Sequence, residues 1–254
     1  REEVTRIIAI TGKGGTGKTA LSTLLLRYLL KKNNARILAV DADADSNLPE
    51  TLGISDGKTI GDVKEEFLKR RSDLPPEVDK RSRFEGMIHE VLREEDKYDL
   101  LVMGRPEGAN CYCYTNDMLR NVLDRIVKNY DYIVIDTAAG LEHFSRRLIQ
   151  SVDALIVVTD TSKHGLTTAH RIKKIADEVK ITISRMYILA NKVDRNQLST
   201  IEQNAKQMDL KVIGAIPLDD TLIKYNLEGH PLLNLPDSSV AVEQVEEIAK
   251  KIGL

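Results

Sequence analysis

Tryptophan is absent from this chain of 254 residues, phenylalanine occurs 3 times, and aromatic residues make up only 4%. Stacking of unpaired bases needs rings, so a single-stranded nucleic-acid platform is not expected. Charge of one sign is also lacking: 37 Lys and Arg face 39 Asp and Glu, for a net charge of −2. Nothing global draws such a chain to a phosphate backbone or an anionic membrane. No apolar run approaches the roughly 20 residues of a membrane span. The opening Arg1-Glu2-Glu3-Val4 has no basic segment leading into a signal-peptide core. Two cysteines cannot staple a chain of this length, so reduced thiols and a cytoplasmic location are expected. The length suits one large α/β domain.

What is present begins with Gly12-Lys13-Gly14-Gly15-Thr16-Gly17-Lys18-Thr19. An apolar run, Ile7 to Ile10, precedes it, and an apolar-periodic run from Ala20 to Leu30 follows. Strand, glycine loop and helix are the context of a P-loop, and every fixed position of G-x-x-x-x-G-K-[ST] is filled. Glycines let backbone N–H groups converge on phosphate oxygens, and the helix aims its positive end at them. Lys18 is expected at the β- and γ-phosphates and the Thr19 hydroxyl on Mg²⁺.

Short apolar runs recur, with strands expected at 6–11, 36–41, 98–103, 131–136, 153–159, 186–190 and 211–216. Most are continuously apolar, as in Tyr132-Ile133-Val134-Ile135, which is the pattern of a parallel sheet covered on both faces. Helical periodicity falls at 17–32, 61–71, 82–95, 117–129, 142–151, 165–179, 198–207 and 239–252. Alternating elements predict a doubly wound α/β fold with a mostly parallel sheet. Residues 1–254 read as one P-loop NTPase domain, with the polar segment 49–97, broken at Pro75-Pro76, inserted within it.

Three further clusters sit where strands end. Asp41, Asp43 and Asp45 close the run 36–41. Asp41 and Asp43 share one side if the strand persists, and helix-capping or turn chemistry is the plainer alternative for Asp43 and Asp45. Asp136 closes the run 131–136, where a Walker B carboxylate holds Mg²⁺, and Ala138-Ala139-Gly140 follow. Asn191-Lys192-Val193-Asp194 matches the guanine-reading N-K-x-D, although an Asn here also suits adenine. ATP is favoured over GTP. The histidines, at 89, 143, 164, 170 and 230, are scattered, and His143, just past Gly140, is the first candidate among them.

Both cysteines lie in one segment, Gly104-Arg105-Pro106-Glu107-Gly108-Ala109-Asn110-Cys111-Tyr112-Cys113-Tyr114. Positions two apart rarely bridge. Two thiolates make half of a tetrahedral soft-metal site, which a two-fold axis could complete. With Lys13 after the first glycine, the loop resembles the deviant Walker A of the MinD, ParA and nitrogenase iron-protein class. With Arg-Pro-Glu-Gly leading into Cys-Tyr-Cys, the chain resembles the CooC/AcsF group of ATPases, which assist nickel insertion into carbon monoxide dehydrogenase and acetyl-CoA synthase. The resemblance implies an ATP- and Mg²⁺-dependent homodimer that handles Ni²⁺, or Zn²⁺ in its place, for a client nickel enzyme. It implies that Lys13 crosses to the partner's nucleotide, that Asp41 supports the Mg²⁺ shell, that Asp43 places the attacking water, and that Gly140 senses the γ-phosphate. It also suggests that Ile216-Pro217-Leu218 meets the base. The rival readings are a MinD- or ParA-like positioning ATPase and an iron–sulfur or metal carrier.

Overall fold

Short β-branched segments become the strands of a sheet, and the amphipathic segments between them become its cover. The computed structural model describes residues 5–32, 34–70, 75, 77, 79–105, 113–138, 151–160, 163–178 and 181–254. Chain order runs β1 (Arg6–Gly12), α1 (Lys18–Leu29), β2 (Ile37–Ala42), α2 (Leu48–Leu52), α3 (Ile60–Arg70), α4 (Lys80–His89), β3 (Arg93–Glu94) and β4 (Asp99–Val102). It continues with α5 (Cys113–Val127), β5 (Tyr132–Thr137), β6 (Ser151–Val152), β7 (Ala154–Thr159), α6 (Lys163–Glu178), β8 (Thr182–Ile183) and β9 (Met186–Asn191). It closes with α7 (Arg195–Gln207), β10 (Val212–Ile216), α8 (Asp220–Glu228), a 3₁₀ turn (Leu232–Asn234) and α9 (Val240–Lys251).

Eight strands form one sheet in the order β10-β9-β7-β1-β5-β2-β4-β3. All pairings are parallel except β3 on β4. Because side chains alternate across a strand, each strand feeds two cores. Ile7, Ala9, Leu38, Val40, Ile133 and Ile135 face one way, packing with Phe67 of α3, Phe84 of α4, Leu119 of α5, Ala169 of α6 and Ile201 of α7. Ile8, Ile10, Ile37, Ala39, Val134 and Ile156 face the other, against Leu21 and Leu25 of α1, Leu48 of α2 and Val245 of α9. Fully burying one such aliphatic side chain contributes roughly 1.5–3 kcal/mol.

This is the doubly wound sheet expected from the strand pattern. Segment 49–97 places Ile60, Val63, Phe84, Met87 and Ile88 in the first of these cores. Two expected helices need correction. The helix expected at 82–95 stops at His89, where turns from Val91 N–H to Ile88 O (3.3 Å) and Leu92 N–H to His89 O (3.2 Å) reverse the chain. Arg93 and Glu94 then pair antiparallel with Leu100 and Asp99, giving the outer side of β4 a partner. The helix expected at 142–151 reaches Ser151, which instead begins β6 and pairs with β8; its other residues lie outside those described. Helix α8 was not foreseen, although Asp219 caps its start and Gly229, at φ +67°, its end.

Candidate nucleotide site

The strands β1, β2, β5 and β9 end on one side of the sheet, and each end carries a residue singled out in the sequence. After β1, Gly12 turns at φ +146°, and a Cβ there would lie 2.2 Å from the Val158 carbonyl oxygen of β7. Gly17, at φ +90°, precedes α1 with no side-chain cap, so first-turn N–H groups of that helix remain for an anion. The Thr16 hydroxyl donates to the Lys13 carbonyl (2.7 Å), closing the loop. Lys18 is buried and Lys13 exposed.

Thr19 begins the carboxylate cluster. Its hydroxyl donates to Asp136 Oδ2 (2.6 Å), while the Ser22 hydroxyl, one turn on, reaches Asp136 Oδ1 (3.2 Å). Asp136 pairs in register with Asp41 across β5 and β2, and both are buried. Burial pushes Asp136 up to about 6, against the Thr19 hydrogen bond and the Lys18 charge. Burial likewise raises Asp41 to about 7, against the hydrogen bond from Leu48 N–H and assisted by the neighbouring Asp136. Thr19 and the two carboxylates form an oxygen-only donor set, which suits a hard cation such as Mg²⁺. Their raised values signal negative charge that lacks full compensation, which such a cation would supply.

The strand does not persist to Asp43, because β2 ends at Ala42, yet the Asp43 charge still raises both Asp41 and Asp136. Asp41 turns its oxygens to the N–H groups of Asp43 (3.0 Å) and Leu48 (2.9 Å). Asp43 folds into a turn, its Oδ1 accepting from Asp45 N–H (3.1 Å). The turn leaves Asp43 half-buried and Asp45 exposed.

Beside the loop lies a cleft of about 100 Å³, lined by Gly17, Asn191, Ile216, Pro217, Leu218 and Leu222 among others. The Asn191 amide donates to the Thr16 carbonyl (2.7 Å). Asp194 starts α7 as an exposed cap and is not among the cleft's lining residues. Asp219, overlooked in the sequence, organises the far wall. Its Oδ1 accepts from Thr221 and Leu222 N–H (2.8 and 3.1 Å), its Oδ2 from the Ser239 hydroxyl and Ala241 N–H (2.6 and 2.9 Å). Burial pushes its carboxyl up, but these hydrogen bonds outweigh burial and hold it below the usual range. Lys192 was also overlooked as a contact of the loop, and Ser22 as a partner of Asp136.

Of the cysteine segment, Gly104 turns at φ +70° against Thr59, where a Cβ would meet Thr59 Oγ1 at 2.3 Å. Arg105 follows, exposed. Cys111, with residues 106–112, lies outside the described residues, as do Gly140 and His143. Cys113 opens α5. One turn in, the Thr115 hydroxyl and the Asn116 side-chain amide oxygen are buried without partners among the described residues. Among the described residues no group of three or more His, Cys, Asp or Glu is placed to hold a metal ion. His230 pairs with Glu228 (3.1 Å), and His170 Nδ1 is buried with no partner among the described residues.

The fold, the loop and the carboxylates at its rim define a P-loop nucleotide-binding protein. The chain belongs to the CobQ/CobB/MinD/ParA nucleotide binding domain family, matched over residues 7–232. It is 50% identical to an uncharacterized ATP-binding protein of Methanocaldococcus jannaschii over 97% of this chain and 98% of that one. It is 32% identical to carbon monoxide dehydrogenase accessory protein CooC of Rhodospirillum rubrum, over 85% of this chain and 84% of that one. Among solved structures, MinD with Mg-ADP from Pyrococcus horikoshii OT3 superposes with a TM-score of 0.70 at 22% identity, covering 98% of this chain and 96% of that one. A ParA family ATPase from Chlorobium tepidum TLS gives 0.72 at 21% identity, covering 98% of each.

Proposed function

We propose that this protein is a dimeric ATPase that assists nickel insertion into a client enzyme of the carbon monoxide dehydrogenase or acetyl-CoA synthase kind. The observation that carries this reading is the 32% identity to the CooC accessory protein across most of both chains. It is joined by a Cys-x-Cys that ends at the first residue of α5, in a chain whose only cysteines are these two.

In this reading the α1 N-terminus and Lys18 receive the β- and γ-phosphates. Mg²⁺ is held by Thr19 and Asp136, with Asp41 behind them, and supplies positive charge at the phosphate oxygens. Asp43 leaves its turn with Asp45 to orient the attacking water. Lys13, exposed in the single chain, reaches the nucleotide of a second copy and offsets charge on the transferred phosphoryl group. The cleft takes adenine: Asn191 lines it and Asp194, the carboxylate that guanine needs, does not. The two Cys111–Cys113 pairs of the dimer hold one Ni²⁺ between them.

A second reading, a MinD-like positioning ATPase, is favoured by 24% identity to septum site-determining protein MinD of Bacillus subtilis over 97% of this chain. One experiment separates them. Oligomeric state and bound Ni²⁺ are measured with and without a non-hydrolysable ATP analogue. The nickel reading requires a dimer with the analogue and tight Ni²⁺ uptake that depends on both cysteines. Nucleotide-dependent dimerisation without Ni²⁺ uptake would favour the positioning reading.

A further inference from the structure

Large apolar side chains left on a protein surface are normally scattered singly. Here they gather. Among the described residues, Leu218, Ile223, Leu227 and Val240 are the exposed large hydrophobics, and all four belong to the corner where α8 meets α9. Leu218 and Ile223 line the cleft, and Leu227 lies one helical turn beyond Ile223. Val240 stands between Ser239 and Ala241, the residues that Asp219 ties to the start of α8. A base seated in the cleft would not cover this patch. The cleft holds about 100 Å³, and neither Val240 nor Leu227, which is 83% exposed, lines it.

The helix itself is held in place and apolar on two sides. Half-buried Leu222 and Tyr225 pack on the core that α1 and α9 share, and Asp219 and Gly229 cap the two ends. Ile223 and Leu227, four residues apart, form a ridge on the outer face, of the kind that interdigitates with another helix. The rim of the patch is acidic. Asp220 lies one turn before Ile223 on the same face of α8, Glu243 lies one turn after Val240 on α9, and both are exposed. The nearby cations are engaged: Lys224 and His230 with Glu228 (3.9 and 3.1 Å), and Lys192 with the Gly15 carbonyl (3.1 Å). Such a rim repels an anionic leaflet, and a second copy of the chain would bring the same surplus of carboxylates. It suits cations set beside an apolar ridge.

We propose that the outer face of α8, with Val240 of α9, docks an amphipathic helix of a partner protein, one whose apolar residues recur every three or four positions and whose flanks carry Lys or Arg. Leu227 is the central anchor, and Asp220 and Glu243 meet the basic flanks. The surface is independent of phosphate chemistry and of which base the cleft takes.

The test uses the full chain and a fluorescein-labelled synthetic peptide of about 18 residues, with leucine on one helical face and lysine on the other. One control peptide spreads the same leucines around the helix, and a second replaces lysine by glutamate. Fluorescence anisotropy should show binding of the first peptide and at least about tenfold weaker binding of both controls. Leu227→Ser should weaken the first peptide by about tenfold or more. Asp220→Asn should weaken it by a few-fold, a loss that shrinks as salt rises. Leu227→Ala decides the matter if the serine variant does not fold. No binding of the first peptide, equal affinity for the spread-leucine control, or affinity unchanged by either Leu227 substitution would overturn the site. Co-sedimentation with phosphatidylcholine–phosphatidylserine vesicles that Leu227→Ser abolishes would overturn the helical partner in favour of a membrane. A concentration-dependent dimer of nucleotide-free wild type that Leu227→Ser abolishes would overturn it in favour of a second copy.

Discussion

Lys13 and Lys18 share one loop but not one environment, since Lys18 is buried and Lys13 exposed. Lys18→Ala should abolish phosphate release, because the β- and γ-phosphates lose their principal cation. Lys13→Ala should hold nucleotide within a few-fold of wild type while phosphate release drops by about a hundredfold, as befits a charge supplied to the transition state. Equilibrium binding and single-turnover hydrolysis on each variant check both. The carboxylates give a pH signature of definite sign. Asp41 and Asp136 are raised to about 7 and about 6, above the usual carboxylate value near 3.9. Between those values the folded chain holds protons that the unfolded chain has released. The pair's contribution to stability is therefore greatest below pH 4 and is lost as pH rises toward 7. Nucleotide-free Asp41→Asn should gain stability relative to wild type between pH 4 and pH 8, measured by urea unfolding at both. Mg-nucleotide affinity of the wild type should instead strengthen from pH 5.5 to 7.5, because cation binding needs the ionised forms.

Among elements, α8 and α9 are joined by a single carboxylate. Asp219 serves the first-turn N–H groups of α8 and also Ser239 and Ala241 at the start of α9. Each cap contributes roughly 1 kcal/mol, so Asp219→Ala should cost about 2–3 kcal/mol in denaturant unfolding near neutral pH. The depressed carboxyl makes that contribution fully present above pH 4 and lost as pH falls through its folded value, so the variant and wild type should converge in strong acid. A base-selective loss of nucleotide affinity should accompany it, since both helices wall the cleft. The strands were legible in the sequence because buried parallel strands are written as continuous apolar runs, and β1, β5 and β7 all are. The phosphate loop was legible because glycine and lysine are needed at fixed spacing. Helix α8 was not, since it buries none of its residues and so lacks a firm apolar stripe. The partners of Asp136, Asn191 and Lys192 were not legible either. They come from elements more than 100 residues away in the chain, and only the strand order β9-β7-β1-β5 brings them to one rim.

For the whole molecule, the proposed shared cysteine site fixes a stoichiometry. Neither chain carries more than two thiolates, and a tetrahedral soft-metal site takes four ligands. The dimer should therefore bind about one Ni²⁺, and Cys111→Ser or Cys113→Ser should each reduce affinity by at least about a hundredfold. Elemental analysis of the sized dimer checks the ratio, and one ion per chain that survives either substitution would refute a shared site. The margins of the sheet bear on how two copies can meet. One margin is the two-residue β3, antiparallel and made of Arg93 and Glu94. The other is β10, where the register shifts between Val212 and Gly214 and Lys251 of α9 donates to the Ile213 carbonyl (3.3 Å). Neither presents a long, flat row of open peptide groups of the kind that templates another strand. Concentrated protein should accordingly resist the intermolecular β-stacking that seeds fibrils, leaving any association of two copies to other surfaces.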